Sequence, residues 1–119
     1  MSRIIHFEIP VENAKRAQRF YTGVFGWKFE GMPGGMEYWG VQTEEGGVNG
    51  GMMKRVQPGQ GIMNYISVDS VEVGMIKVKE WGGKVLRSKT PVPGMGWFAV
   101  CQDTEGNVLG LWQTDPKAK

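Results

Sequence analysis

The order of elements that can be read along this chain occurs twice, and that duplication restricts the possible folds more than any single motif does. In the first half an alternating strand over 3–9 precedes an amphipathic helix over 13–24. Further strands follow, one opening at 27–29, one at 38–43 and one at 48–54. The second half repeats the order, with a strand at 62–68, a helix opening at Asp69, and strands at 84–88, 97–101 and 108–113. The two halves are offset by about 57 residues, best marked by Phe25-Gly26-Trp27-Lys28 against Trp81-Gly82-Gly83-Lys84. Each βαβββ unit can cover one sheet face with its own helix and leave the other face to curl around something. The expected fold is therefore α+β: two tandem βαβββ modules forming a half-open, barrel-like eight-stranded sheet with helices on the outside. Within a single domain of 119 residues, module 1 runs over about 3–55 and a polar linker over 56–61. Module 2 runs over 62–113 and a tail over 114–119.

Local chemistry supports these boundaries. Ile5, Phe7 and Ile9 alternate with Ile4, His6 and Glu8, which makes a half-buried strand with an unusually polar second face, ended at Pro10 by the missing ladder donor. Asn13 suits the N-cap of the first helix. Ala14, Ala17, Phe20, Tyr21 and Val24 form its buried stripe, and Gly26 stops it. The cluster Gly31-Met32-Pro33-Gly34-Gly35 reads as a loop. Asp69 and Glu72 read as a capping box before the stripe Val71, Met75, Val78 and Trp81, which Gly82-Gly83 ends.

Composition excludes several classes. Net charge is +2 with basic and acidic residues interleaved, which argues against a nucleic-acid partner. No apolar run is long enough to span a membrane, and the start lacks a secretory pattern, so a cytoplasmic protein is expected. The one cysteine, Cys101, excludes a multi-cysteine zinc site and reads as a small buried hydrophobe. The glycines at 46, 47, 50 and 51 follow neither phosphate-loop pattern.

His6-Phe7-Glu8-Ile9-Pro10-Val11, followed by the stretch from Arg16 through Phe20-Tyr21 to Val24-Phe25-Gly26-Trp27, resembles the opening of glyoxalase/bleomycin-resistance proteins. Asp103-Thr104-Glu105-Gly106-Asn107, followed by Val108-Leu109-Gly110-Leu111-Trp112, resembles the closing hairpin of the same superfamily, the vicinal oxygen chelate or extradiol dioxygenase group. The resemblance implies a homodimer and, in the enzymes, one divalent metal held by His or carboxylate side chains on first and last strands of both modules. Carried over by position, the first ligand falls on His6 and its second-module counterpart on Met63, or on Asn64 one residue away. The last-strand carboxylate falls on Gly110 and its first-module counterpart near Gly51. One of four ligands is kept, so no metal or other cofactor is expected, with a divalent metal helped by Glu8 as the alternative.

Alternation assigns His6, Glu8, Met63, Tyr65, Ser67, Trp97, Ala99, Cys101, Gly110 and Trp112 to the cleft. It assigns Phe7, Ile66, Phe98, Val100, Leu109 and Leu111 to the core beneath the helices. Glycine at 51 and 110 should widen that cleft and leave Met53, Met63, Tyr65, Trp97 and Trp112 as its walls. The expected function is metal-free binding of a small hydrophobic or aromatic molecule through His6, Glu8, Met53, Met63, Tyr65, Trp97 and Trp112. A metal-dependent lyase, isomerase or dioxygenase of the same superfamily is the alternative. His6 with Glu8 orienting it is the candidate acid–base pair if a reaction occurs. Two other readings stay open: His6 as a hydrogen-bonded structural side chain, and packing alone for the aromatics and methionines. A Cys101–His6 nucleophile pair is the remotest option.

Overall fold

Both expected helices form, the first where its end signals put it and the second with its start shifted. The structure, a computed structural model, describes residues 2–33 and 37–119. Helix α1 spans Ala14–Phe25; the Asn13 side chain accepts from the Arg16 amide, and Gly26 closes the helix in the left-handed region at φ 76°. Helix α2 spans Val71–Glu80, and its cap is Ser70, which accepts from the Val73 amide. The expected capping box from Asp69 is therefore displaced by one residue. Glu72 falls too early to reach back to its cap and instead meets Lys89 Nζ at 2.8 Å.

The strands are β1 (Ile4–Val11), β2 (Lys28–Gly31), β3 (Tyr38–Gln42), β4 (Gly50–Lys54), β5 (Met63–Ser67), β6 (Lys84–Val92), β7 (Gly96–Gln102) and β8 (Val108–Thr114). Among the described residues, eight strands and two helices in the order βαβββ, repeated, make the chain α+β. Contacts divide it into one unit of residues 6–63 and another of 1–5 with 64–119. Pro10 does not end β1, which runs on beside β4 as far as Val11 paired with Lys54. Proline lacks only a donor, its φ suits a strand, and its carbonyl accepts from Arg55 Nη2 at 3.2 Å. Gly31 closes β2 rather than opening a loop; Gly34 and Gly35 lie outside the described residues.

In the first module β1 lies parallel to β4, and β3 pairs antiparallel with both β4 and β2. Ile9, Val11, Val41 and Met52 are buried, with Phe7, Ala14, Ala17, Tyr21, Trp27, Phe29 and Trp39 packed around them. Three helix positions, 14, 17 and 21, thus meet the sheet. Phe20 and Val24, expected in the same stripe, are each 58% exposed, because they flank the contact line rather than lie on it.

In the second module β5 lies parallel to β8, β8 pairs with β7, and β7 pairs with β6. Val71, Ala99, Cys101 and Leu111 form the core, surrounded by Val68, Met75, Val78, Val85, Trp97 and Leu109. Trp81 leaves the predicted stripe altogether at 82% exposure.

The predicted phase of β7 is reversed. Antiparallel partners share a face, and Ala99 pairs with Leu111 while Cys101 pairs with Leu109. Trp97, Ala99 and Cys101 therefore face α2 with the leucines. Phe98 and Val100, opposite Trp112 and Gly110, take the other side. Both alternating sets of β7 are apolar, so period-two reasoning carried no phase; only the cross-strand register decides it.

Candidate functional site

On the first module's sheet face away from α1, alternation brings His6 and Glu8 of β1 together with Tyr38 of β3, and with Gly51 and Met53 of β4. Core residues Phe7, Ile9, Val41 and Met52 point the opposite way. The three polar side chains form one connected group. His6 Nε2 lies 3.0 Å from the Tyr38 hydroxyl, which donates to Glu8 Oε2 at 3.1 Å. His6 Nε2 and Glu8 Oε2 are 3.8 Å apart, an electrostatic distance but too long for a direct hydrogen bond. The His6 side chain is 32% exposed and that of Glu8 17%, so the group is reachable yet largely sheltered.

Tyr38 was not among the residues expected here. The available signal was Gly50-Gly51 inside a strand, where missing side chains mark a close approach by something else. That approach is by Tyr38. A Cβ added at Gly51 would run into the phenol oxygen. Tyr38 is held neutral: burial, then the Glu8 charge and the hydrogen bond to it, push its phenol well above the ordinary value of 10.0. The folded chain thus keeps a proton that the unfolded chain releases. The associated stability is fully present below pH 10.0 and is lost as pH rises above it. In an alkaline titration followed by phenolate absorbance, wild type minus Tyr38→Phe should show no Tyr38 ionisation across pH 10 while the chain stays folded. Appearance of a full equivalent at the ordinary value would contradict this environment.

The second module presents a matching arrangement. Tyr65 pairs with Gly110 in register, and a Cβ on Gly110 would enter the Tyr65 ring. Tyr65 is 8% exposed. The half-buried Trp112 has its indole N–H on Thr114 Oγ1 at 2.9 Å. Both glycines were expected to widen a cleft. Instead each lies under a tyrosine that fills the vacated space.

Trp97 is not on this face. It packs in the α2 core, donates from Nε1 to Asp115 Oδ2 at 3.0 Å and carries Lys89 Nζ 4.4 Å above its ring. Its indole ties the tail to the sheet and holds the Asp115 carboxyl below the usual range. Cys101 is fully buried in the same core, and burial raises its thiol pKa. That is the environment of an inert thiol rather than a nucleophile. Met63 opens β5 and is half-buried.

Comparison with known proteins agrees with this architecture. A family model described as "Bleomycin resistance protein-like N-terminal" matches residues 3–44. A "Glyoxylase-like domain-containing protein" of Didymella fabae is 32% identical, over 92% of this chain and 91% of its own length. The protein named "Putative glyoxylase CFP32" of Mycobacterium tuberculosis is 28% identical over 91% of the chain, which spans 44% of that relative's length. A solved glyoxalase/bleomycin resistance protein/dioxygenase superfamily member from Vibrio splendidus 12B01 superposes with a TM-score of 0.70. The match covers 95% of this chain and 99% of that one at 15% identity, and shows the shared fold. With a full-length relative above 30% identity, a matching family model and the duplicated βαβββ fold, the chain belongs to the glyoxalase/bleomycin-resistance/dioxygenase superfamily.

Proposed function

We propose that this chain binds a small hydrophobic or aromatic molecule without a metal, on the first module's sheet face turned away from α1, with His6, Tyr38 and Glu8 as the polar anchor. The observation that carries this is the pair of covered glycines. At both last-strand positions where the superfamily resemblance puts a chelating side chain, the chain has glycine beneath a tyrosine ring. What remains on the first module is one imidazole and one carboxylate bridged by a neutral phenol. Catalytic metal sites generally need about three protein ligands in fixed geometry, and no three His, Cys, Asp or Glu side chains gather suitably among the described residues. That donor set does not fit the metal the resemblance implies.

Methionine and aromatic side chains around a few polar groups suit a flat apolar ligand. On the first module these are Met53 and Tyr38. The second module's own face carries Tyr65, Trp112 and Phe98, the last in place of the expected Trp97. A homodimer belongs to the same proposal, supported by Phe20, Val24 and Phe25, each 58% exposed along α1. So do a cytoplasmic location and the lack of a nucleic-acid partner.

The test is a melting screen against aromatic metabolites in chelator-treated buffer. A ligand at a hundred times its dissociation constant adds about 2.7 kcal/mol, on the order of 10 °C for a domain of this size. His6→Ala should lose most of that shift. Stabilisation that appears only after divalent metal is added would favour the metal-dependent enzyme instead.

A further inference from the structure

The second module's sheet face away from α2 carries charge of one sign. Lys84 pairs with Gln102 and Arg87 with Val100, and antiparallel partners share a face, so both cations stand on the side of Phe98 and Val100. No Asp or Glu occurs anywhere in β5, β6, β7 or β8. The Arg87 guanidinium carbon lies 5.3 Å from the centre of the Phe98 ring, and among the described residues it pairs with no carboxylate. Next along the same face, Trp112 of β8 pairs with Phe98. A Cβ on Gly96 would run into Trp112 Cζ2 and Cη2, so the indole lies down over β7 instead of standing off the sheet. Its N–H is already given to Thr114 Oγ1 at 2.9 Å. That bond fixes the ring and leaves its flat, half-buried face as what it can offer.

We propose that this face is a binding site of its own for a flat aromatic carboxylate, with the ligand ring on the Trp112 indole and its carboxylate on Arg87. A guanidinium over an aromatic ring is attracted through its face, while its edge N–H groups can still take both oxygens of a carboxylate. An indole stacks a flat ring in an offset arrangement that an aliphatic chain cannot match. Strands β6 and β8 flank β7, two strand spacings or about 10 Å apart. One ligand therefore reaches both side chains only if its ring and its carboxylate sit at opposite ends. A neutral ring would leave the guanidinium unanswered, and a small anion would leave the indole bare. The site lies wholly within residues 64–119 and does not rest on the anchor formed by His6, Tyr38 and Glu8.

The experiment titrates the full chain with 2-naphthoate, with uncharged 2-naphthamide and with acetate, following the Trp112 indole N–H in a 15N spectrum. A ligand of this size should reach a dissociation constant of about 1 mM or tighter. Naphthoate should move the Trp112 signal and bind at least about tenfold more tightly than naphthamide, the weight of charge-assisted hydrogen bonds. Acetate should leave the signal in place. Arg87 is exposed, so Arg87→Met should fold as wild type does. It should bring naphthoate down to the level of naphthamide and leave naphthamide itself unchanged. Equal affinity for the two naphthalenes in the wild type would overturn the proposal, as would an equal fall of both in Arg87→Met. So would acetate acting as well as naphthoate, or a Trp112 signal that stays in place at about 10 mM naphthoate.

Discussion

Gly110→Glu, which would return a carboxylate to the position where the superfamily resemblance implies a ligand, should lower stability by about 4 kcal/mol or more and restore no metal site. Gly110 is buried on β8 in register with Tyr65, and the first added carbon would already overlap the tyrosine ring. Overpacking of this kind costs about 1–3 kcal/mol, and an unpaired carboxylate carried into the same place costs several more. A domain of this class has about 5–15 kcal/mol in total, so the variant should melt far below wild type or fail to accumulate folded. Gly110→Ala isolates the steric part at about 2 kcal/mol. If the tyrosine ring is the obstacle, Tyr65→Ala opens the room that the new methyl needs. The double variant should then be more stable than the sum of the single changes by about 1–2 kcal/mol. Strict additivity, measured by denaturant unfolding, would place the cost elsewhere.

Met52→Ala should cost about 3 kcal/mol, within the usual range of 2–5 for truncating a buried methionine. Met52 is 0% exposed, on β4 beneath α1, where it pairs with Ile9 and Trp39. The informative control is Trp81→Ala. It removes a far larger side chain but one that is 82% exposed, and should stay within about 0.5 kcal/mol of wild type. Side-chain size ranks the two in the opposite order, so equal losses would mean the burial assignment is wrong.

Trp81 marks the boundary between what could be read from the chain and what could not. Element order, both helix ends at Asn13 and Gly26, and the outward-facing His6 and Glu8 were legible. Each is a local signal: a cap, a left-handed glycine, an alternation between polar and apolar. Trp81 and Phe20 were misassigned because helical periodicity gives the direction of a stripe but not its width. Whether a flanking aromatic is covered depends on how far the sheet extends beneath it. Trp97 was misplaced because both alternating sets on β7 are apolar, and the pairing of Ala99 with Leu111 is a long-range fact.

The candidate site was half legible for the same reason. His6 and Glu8 sit two residues apart on one strand. Tyr38 reaches them across β4 from a strand that begins some 30 residues later in the chain, and only its landing on Gly51 reveals why that glycine is there. A missing side chain on a strand reads as empty space. In this fold it is the space another side chain uses, so the expected widening is replaced at Gly51 and Gly110 by a tyrosine.

Calorimetric titration of the chelator-treated chain with nickel, zinc, manganese and ferrous ions tests the proposed metal-free anchor most directly. Two donors bridged by a neutral phenol should give no stoichiometric uptake, and His6→Ala should leave the weak residual heats unchanged. One ion bound per chain at micromolar affinity or tighter, and lost in His6→Ala, would contradict a metal-free anchor.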